Sequence, residues 1–176
     1  MRVSTRGRLS AGFFISIALA FTAVSLFTCH WLNLEDMKTQ GLFAQTTSKC
    51  TFDSSAWNTA VFSLMIAALA LEVIVVVFVL ISSFLPHCDG HGRHMIKLDL
   101  LLCFLIFATQ TAALITYGVS SNNAYHGQDG PNFSHSMGWS FWLVIPGAVF
   151  GLIAIGPLTH ALYAIHLEGG DEDWHF

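Results

Sequence analysis

The sequence predicts an all-α membrane protein, built as an antiparallel, left-handed bundle of four transmembrane helices. Its 176 residues are 54% hydrophobic and only 10% charged, whereas a soluble domain needs about a quarter of its residues charged. Four apolar runs also reach the ~20 residues that a helix needs to cross ~30 Å of hydrocarbon. Short connections between them favour antiparallel neighbours in a left-handed bundle. The runs cover residues 9–29, 56–84, 98–119 and 138–165 of a single domain, 1–176.

Each run is predicted to be a helix, because in lipid every backbone polar group must be satisfied within its own segment. The first run has an alternative interpretation as a signal peptide, since Arg2, Arg6 and Arg8 precede it and it contains Ala18-Leu19-Ala20. At about 20 residues it exceeds the ~7–15 residues of a signal core. A retained membrane helix is therefore the preferred interpretation.

Basic residues predict the orientation, because Lys and Arg are enriched in cytoplasmic loops. Five of the seven lie before the first helix or in the loop 85–97, and two lie in the loop 30–55. The termini, the loop 85–97 and the tail 166–176 are therefore expected in the cytoplasm. The loops 30–55 and 120–137 are expected outside the cell.

Small residues indicate where the helices pack. Gly147 and Gly151 have GxxxG spacing in the fourth helix, and alanines cluster at 67, 68 and 70 in the second. Such residues let helix backbones approach closely in a membrane. Packing inside the bundle is preferred over an oligomer interface. Pro146 and Pro157 are expected to bend the fourth helix or loosen a turn of it.

Glu72 is the most costly residue in the sequence, because an ionised carboxylate within a membrane helix costs several kcal/mol or takes up a proton. Counting from the cytoplasmic helix ends places Gln110 at a similar depth. We expect Glu72 to face the bundle interior and to hydrogen-bond Gln110 in its protonated form. The alternatives are a contact with a partner's membrane helix and an ion path.

The loop 85–97 contains a His-rich stretch that begins His87-Cys88-Asp89-Gly90-His91 and runs to His94. Such a cluster can bind zinc or copper, but it has no CxxC pair, so no metal site is predicted. Cys88 borders the second helix and could be palmitoylated. No cofactor and no catalytic residue are predicted either: there is no Ser/His/Asp grouping, no phosphate loop and no pair of carboxylates at one depth.

Three features are candidates for modification or binding. Cys29 and Cys50 both face the oxidising side, so a disulfide between them is permitted. Asn132 begins a glycosylation sequon close to the fourth helix. Trp174 and Phe176, at the third-last and last positions, fit a ligand of a PDZ domain.

The first loop resembles the W…GLW…C signature of the claudin superfamily. Trp31 follows the first helix, Gly41-Leu42-Phe43 comes ten residues later, and Cys50 follows. The stretch from Gly138 to Phe141 is also similar to claudin-like and stargazin-like members. The resemblance implies a small antiparallel sheet, formed by the first loop over the bundle. It also implies that Trp31 lies beneath this sheet, covered by Leu42 and Phe43.

The loop departs from the family in ways that bear on function. It has about 26 residues, roughly half the length of a claudin's first loop, and it holds one cysteine where the family has two. Phe43 stands where Trp is commoner. The family's disulfide, between two cysteines of the loop, therefore cannot form in its usual way. A paracellular pore is disfavoured, because it depends on a large sheet.

Two functions remain open, and neither is enzymatic. The first is a claudin-like plasma-membrane protein acting in cell–cell contact or membrane organisation, with lipid, other copies and a PDZ scaffold as partners. The alternative is an auxiliary subunit of an ion channel or receptor. A lipid-facing Glu72 or an outer stripe of small residues would favour the alternative. No basic patch indicates nucleic acid.

Overall fold

The computed structural model describes residues 3–33, 39–42, 50–52, 55–84, 92–126 and 136–170. Within these ranges the chain forms five helices and four short strands. The helices are α1 (Val3–Phe27), α2 (Ala56–Phe84), α3 (Gly92–His126), α4 (Trp139–Ile153) and α5 (Ile155–Gly170). The strands are β1 (Leu32–Asn33), β2 (Thr39–Gly41), β3 (Cys50–Phe52) and β4 (Ser136–Met137).

Four spans in the described residues are long and apolar enough to cross a membrane, with α4 and α5 together forming the fourth. The helices pack as a ring in chain order, and the α4–α5 pair closes the ring against α1. Helices α1 and α3 therefore face each other across the bundle. The strands lie at one end, called here the sheet end, and the other is called the far end.

Helix α2 coincides with its predicted span, whereas each of the other spans extends beyond the prediction at one end or both. Helix α1 begins at Val3 and not at residue 9, and α3 runs from Gly92 to His126 and not over 98–119. An apolar run marks only the part of a helix that lies in hydrocarbon. The backbone pattern of hydrogen bonds can continue through polar residues once the helix is nucleated.

The fourth span is interrupted at Ala154, which forms a turn between α4 and α5. Pro157 follows in the first turn of α5, where its missing N–H has no helical partner to lose. Pro146 lies inside α4 without interrupting it. The helix is therefore interrupted close to Pro157 and continues through Pro146. Gly7 of α1 packs against this point, since a Cβ there would lie 2.7 Å from the carbonyl oxygen of Pro157.

The sheet has the order β3-β2-β1-β4. Strand β1 is antiparallel to β2 and to β4, whereas β2 and β3 are parallel. The expected small sheet of the first loop is therefore present, with two details that were not expected: β2 and β3 are parallel, and a fourth strand from the residues before α4 joins the sheet. The physical reason is that the free edge of β1 must be paired, and the residues leading into α4 supply the partner strand, with Leu32 opposite Met137.

The interior consists of two apolar clusters with a polar layer between them. The cluster nearer the far end contains Ala11, Ile15, Val75, Val79, Ile96, Cys103, Ile106, Ala154, Leu158 and Ala161. The cluster nearer the sheet end contains Leu26, Trp31, Leu32, Leu42, Val61, Met65, Ala113, Tyr117, Phe141 and Val144. Three buried polar residues separate them, namely Thr22, Glu72 and Gln110. We call these three residues the polar layer.

Aromatic residues mark the two boundaries of the outer surface. Trp139 and Trp142 are exposed on α4 near the sheet end, and Tyr163 is exposed on α5 near the far end. Trp and Tyr are enriched at both membrane–water interfaces. Trp142 and Tyr163 are 21 positions apart in the sequence, which is about 32 Å at 1.5 Å per helical residue. This distance suits the ~30 Å hydrocarbon core of a bilayer.

An ion pair joins α1 to α3 across the bundle near the far end. The Nε and Nη2 atoms of Arg8 lie 3.3 and 3.0 Å from Oδ2 of Asp99. The side chain of Asp99 is 1% exposed and that of Arg8 is 12% exposed. Removing one partner of a buried pair leaves an uncompensated charge, which costs more than losing the pair as a whole.

We expect Arg8→Met to destabilise the protein by about 3 kcal/mol, because it leaves the Asp99 carboxylate buried without a cation. Thermal unfolding in detergent measures the loss. The double variant Arg8→Met/Asp99→Leu should recover part of it, since both charges are then removed. Arg6→Met, at an exposed position of the same helix, is the control. Equal effects at positions 6 and 8 would contradict a structural role for the pair.

Candidate functional site: the sheet cap and the buried polar layer

Trp31 anchors the sheet to the bundle. Its side chain is completely buried, and its ring packs edge-on against Tyr117 and Phe141, with centroid distances of 5.0 and 5.9 Å. Its Nε1 donates to the carbonyl oxygen of Ser25 at 2.7 Å. That carbonyl lies in the last turn of α1, where carbonyl groups have no helical donor. The side chain of Trp31 therefore fills the sheet end of the bundle and donates a hydrogen bond to a carbonyl group in the last turn of α1.

The backbone around Trp31 joins three elements. Its N–H donates to the carbonyl of Gln40 in β2 at 3.0 Å, and its carbonyl accepts from the N–H of Gly138 at 2.9 Å. The carbonyl of His30 accepts from the N–H of Ser140 at 3.1 Å. The beginning of α4 is thus tied directly to the residues between α1 and β1. We call the four strands, held in this way, the sheet cap.

Gly138 makes this junction possible because it has no side chain. A Cβ at this position would lie 1.8 Å from the carbonyl oxygen of His30 and 3.2 Å from the carbonyl carbon of Trp31. Its φ of −75° and ψ of 166° are open to any residue. The requirement for glycine is therefore one of space and not of backbone conformation. The ring of Trp139, the next residue, packs against His30 at 5.2 Å.

The structure brings together most of the loop motif singled out in the sequence. Leu42 is completely buried in the same cluster as Trp31. Gly41 lies against Cys29, since a Cβ there would be 3.0 Å from the Cα and 3.1 Å from the Sγ of Cys29. The backbone of Cys50 pairs with Thr39 in the β2–β3 ladder. Phe43 lies outside the described residues.

Two cysteines have described side chains, and they differ. Cys103 carries a buried free thiol, whereas Cys29 is disulfide-bonded. The side chain of Cys50 lies outside the described residues, so the Cys29–Cys50 pairing stays a prediction.

The polar layer joins three helices at one point. Nε2 of Gln110 donates to Oε1 of Glu72 at 2.9 Å and to Oγ1 of Thr22 at 2.8 Å. Oγ1 of Thr22 also lies 3.0 Å from Oε1 of Glu72 and 3.0 Å from the carbonyl oxygen of Ala18. All three side chains are completely buried. The structure therefore places Glu72 inside the bundle, in contact with Gln110, and away from lipid.

Helix α4 faces the polar layer with glycine. A Cβ at Gly147 would lie 3.5 Å from Oγ1 of Thr22, and one at Gly151 would lie 3.7 Å from Cγ2 of Ile106. Both glycines are buried, so the GxxxG pair of α4 faces the neighbouring helices. A longer side chain at position 147 would displace Thr22 from its partners.

Sequence reasoning missed three contributors to these sites. Thr22 gave no signal, because threonine in a membrane helix commonly bonds the carbonyl four residues earlier. Asp99 did give a signal in the sequence, because it is an acidic residue beside an apolar run. An acidic residue in a membrane helix is seldom without a partner. Gly138 was noted only as part of a resemblance, since its contact with His30 depends on the tertiary fold.

Other predicted sites fall outside the described residues. They are the sequon at Asn132, the PDZ-like tail at Trp174 and Phe176, and the loop from His87 to His91. Within the part of the chain that the structure describes, no group of three or more His, Cys, Asp or Glu residues could hold a metal ion.

We expect Gly138→Ala to destabilise the protein by about 1–3 kcal/mol, as overpacking does, because the new methyl group meets the backbone of His30. The melting temperature in detergent measures the change. Gly156→Ala is the matched control, since nothing lies within 4 Å of a Cβ at that position. A loss at position 156 as large as that at 138 would show that the junction has no special role.

Comparison with known proteins agrees with this architecture. A family model described as "Tight junction protein, Claudin-like" matches residues 1–167. No curated protein matches the chain. The family match covers all four membrane spans and the described strands of the sheet cap. The chain therefore belongs to the claudin-like family.

Proposed function

We propose that this protein acts at the plasma membrane in cell–cell contact or membrane organisation. It would associate laterally with other copies in its own membrane and head to head with copies in a facing membrane. The observation that carries this proposal is a row of small, exposed residues on α2. The row consists of Ala56, Ala60, Ser63, Ala67 and Ala70, and we call it the small-residue stripe.

The stripe has the geometry of a helix–helix contact. Its members are separated alternately by four and three residues, a repeat of 3.5 that keeps one face toward a left-handed partner helix. In lipid, helices associate through close packing of small residues, because no hydrophobic force drives them together. Of the alanines assigned to internal packing, Ala68 is buried, whereas Ala67 and Ala70 face outward.

The position of the stripe connects lateral contact with the sheet cap. The stripe begins at Ala56, the first residue of α2 at the sheet end. Farther along this helix the exposed residues are larger, as Val73, Ile74 and Val77 show. A neighbouring helix would approach most closely at the sheet end. Lateral association would therefore bring the sheet caps of two copies side by side.

The placement of charge supports an extracellular sheet cap. Arg6, Arg8 and Lys97 all lie at the far end of the bundle, and the cytoplasmic side of a membrane protein is the side enriched in Lys and Arg. With this orientation the sheet cap faces another cell and both termini lie in the cytoplasm. Anchoring through Trp31 would hold the cap rigid, which reduces the entropic cost of binding.

A Cys29–Cys50 disulfide is part of this proposal. Cys29 is disulfide-bonded and Cys103 is free. Cys50 lies in β3, whose neighbour β2 contacts Cys29 at Gly41. The bond would close a loop of about 20 residues, which chain-entropy models credit with about 3 kcal/mol. An oxidised pair also fits an extracellular sheet end.

The alternative function is an auxiliary subunit of a channel or receptor. The small-residue stripe is one of the two features expected of this alternative, because such a surface can accept a helix of another protein. The other expected feature is a lipid-facing Glu72. Glu72, however, is completely buried, so it offers no polar contact to a partner's helix. Self-association is therefore preferred.

We expect Ala67→Leu to weaken self-association in membranes by about tenfold, which corresponds to about 1.4 kcal/mol. A leucine would hold the two helix backbones apart within the small-residue stripe. Energy transfer between fluorescently labelled copies in liposomes measures the change. Ile115→Leu, at an exposed position of α3, is the control and should have no effect. Unchanged association in Ala67→Leu would remove the stripe as the interface.

Crosslinking in native membranes distinguishes the two functions. Cysteine introduced at Ser63 should give a dimer of this chain with a short thiol crosslinker. The expected product contains only this protein. Stoichiometric recovery of a channel or receptor, identified by mass spectrometry, would overturn the contact function in favour of the auxiliary one.

A further inference from the structure

Two oxygen atoms in the polar layer have no hydrogen-bond partner among the residues that the structure describes. They are Oε2 of Glu72 and Oε1 of Gln110, and both residues are completely buried. Buried polar atoms are nearly always paired, because an unpaired one is costly in a medium of low dielectric. Both atoms are acceptors, so whatever satisfies them must bring a hydrogen-bond donor or a positive charge.

In the part of the chain that the structure describes, no positively charged side chain lies close to Glu72. Among the described residues, the closest buried cation is Arg8, which is already paired with Asp99. That pair lies 14 residues from Thr22 along α1 and 11 residues from Gln110 along α3, which is about 21 and 17 Å. An ionised Glu72 would therefore be an isolated charge inside a membrane bundle, where such charges are expensive.

Other titratable groups on the packed helices do not supply a partner. In the described residues outside the ion pair, they lie toward the ends of the bundle or within its apolar clusters. They are Arg6, His94, Lys97, Cys103, Tyr117, His160, Tyr163 and His166. The hydrogen bonds of Glu72 run to Thr22 and Gln110, neither of which carries a charge.

A single proton satisfies both oxygens and removes the charge. The planar Gln110 amide already faces Glu72, because its Nε2 donates to Oε1 of Glu72 at 2.9 Å. If Oε2 of Glu72 carries a proton, its O–H can donate to Oε1 of Gln110, which shares one edge of the amide with an N–H. Exchanging the amide oxygen and nitrogen would place an acceptor opposite an acceptor, so one proton would still be required. A hard metal cation would need about six oxygen ligands, whereas the three side chains of the layer hold four oxygen atoms, two of which already take part in its hydrogen bonds.

We propose that the polar layer is a proton-binding site, in which Glu72 holds a proton on Oε2 and donates it to Oε1 of Gln110. The carboxylate takes this proton from the aqueous phase, and one O–H bond forms. The two groups then share a ring of two parallel hydrogen bonds between α2 and α3. Thr22 accepts the second N–H of Gln110 and so ties α1 to the same ring.

Infrared spectroscopy tests the proton directly. The wild-type protein in liposomes at neutral pH is compared with Glu72→Gln, and the difference spectrum isolates one carboxyl group. We expect the carbonyl band of a protonated carboxylic acid, and a shift of that band to higher frequency in Gln110→Leu. A carboxylate signal in place of the acid band, or an acid band unmoved in Gln110→Leu, would overturn the proposal.

Thermal unfolding provides a second readout, with variants that distinguish a proton from a metal. Glu72→Gln places an N–H₂ where the O–H stood, so its melting temperature should stay within about 2 °C of the wild type, whereas Glu72→Ala should lose about 5 °C. Stabilisation of the wild type by sodium or calcium, absent in Glu72→Gln, would assign the site to a cation and refute the proton. Either result leaves the small-residue stripe untested, so this proposal stands apart from the proposed function.

Discussion

The hydrogen bonds among Thr22, Glu72 and Gln110 fix the relative heights of three helices in the bilayer. Apolar helix faces can shift past one another at little cost, because lipid tails are as apolar as the side chains they replace. A polar group in the same interior finds its partners in only one register, as buried polar residues do in coiled coils. The position of this layer, with an apolar cluster on each side, therefore determines which residues of each helix meet.

The register set by the polar layer also determines which residues meet at the two ends of the bundle. Near the far end it brings Arg8 of α1 to Asp99 of α3, so the two facing helices are joined at two levels. Near the sheet end it brings Phe141 of α4 and Tyr117 of α3 to the ring of Trp31. The sheet cap is thus positioned by contacts made within the membrane. The shortness of its strands suits this arrangement, since a sheet of this size has little stability of its own.

The sequence predicted those features that depend on composition and spacing. Four helices follow from the length of the apolar runs, and the contact of Glu72 with Gln110 follows from counting residues between helix ends. Features that depend on two distant segments could not be predicted. Ser136–Met137 carries no strand pattern and becomes β4 only because β1 offers a free edge. Pro146 and Pro157 look alike in the sequence. The helix is nevertheless interrupted only near Pro157, where Gly7 of α1 packs against it.

The separation of Trp142 and Tyr163 determines which bilayer thickness the protein fits best. Their span of about 32 Å along the helix axis equals the hydrophobic thickness of a sterol-rich plasma membrane and exceeds the ~27 Å of the endoplasmic reticulum. In the thinner bilayer the helices would have to tilt or thicken the lipid around them, each at a fraction of a kcal/mol per Å of mismatch. A match of this kind would support the plasma-membrane location that is proposed for the protein.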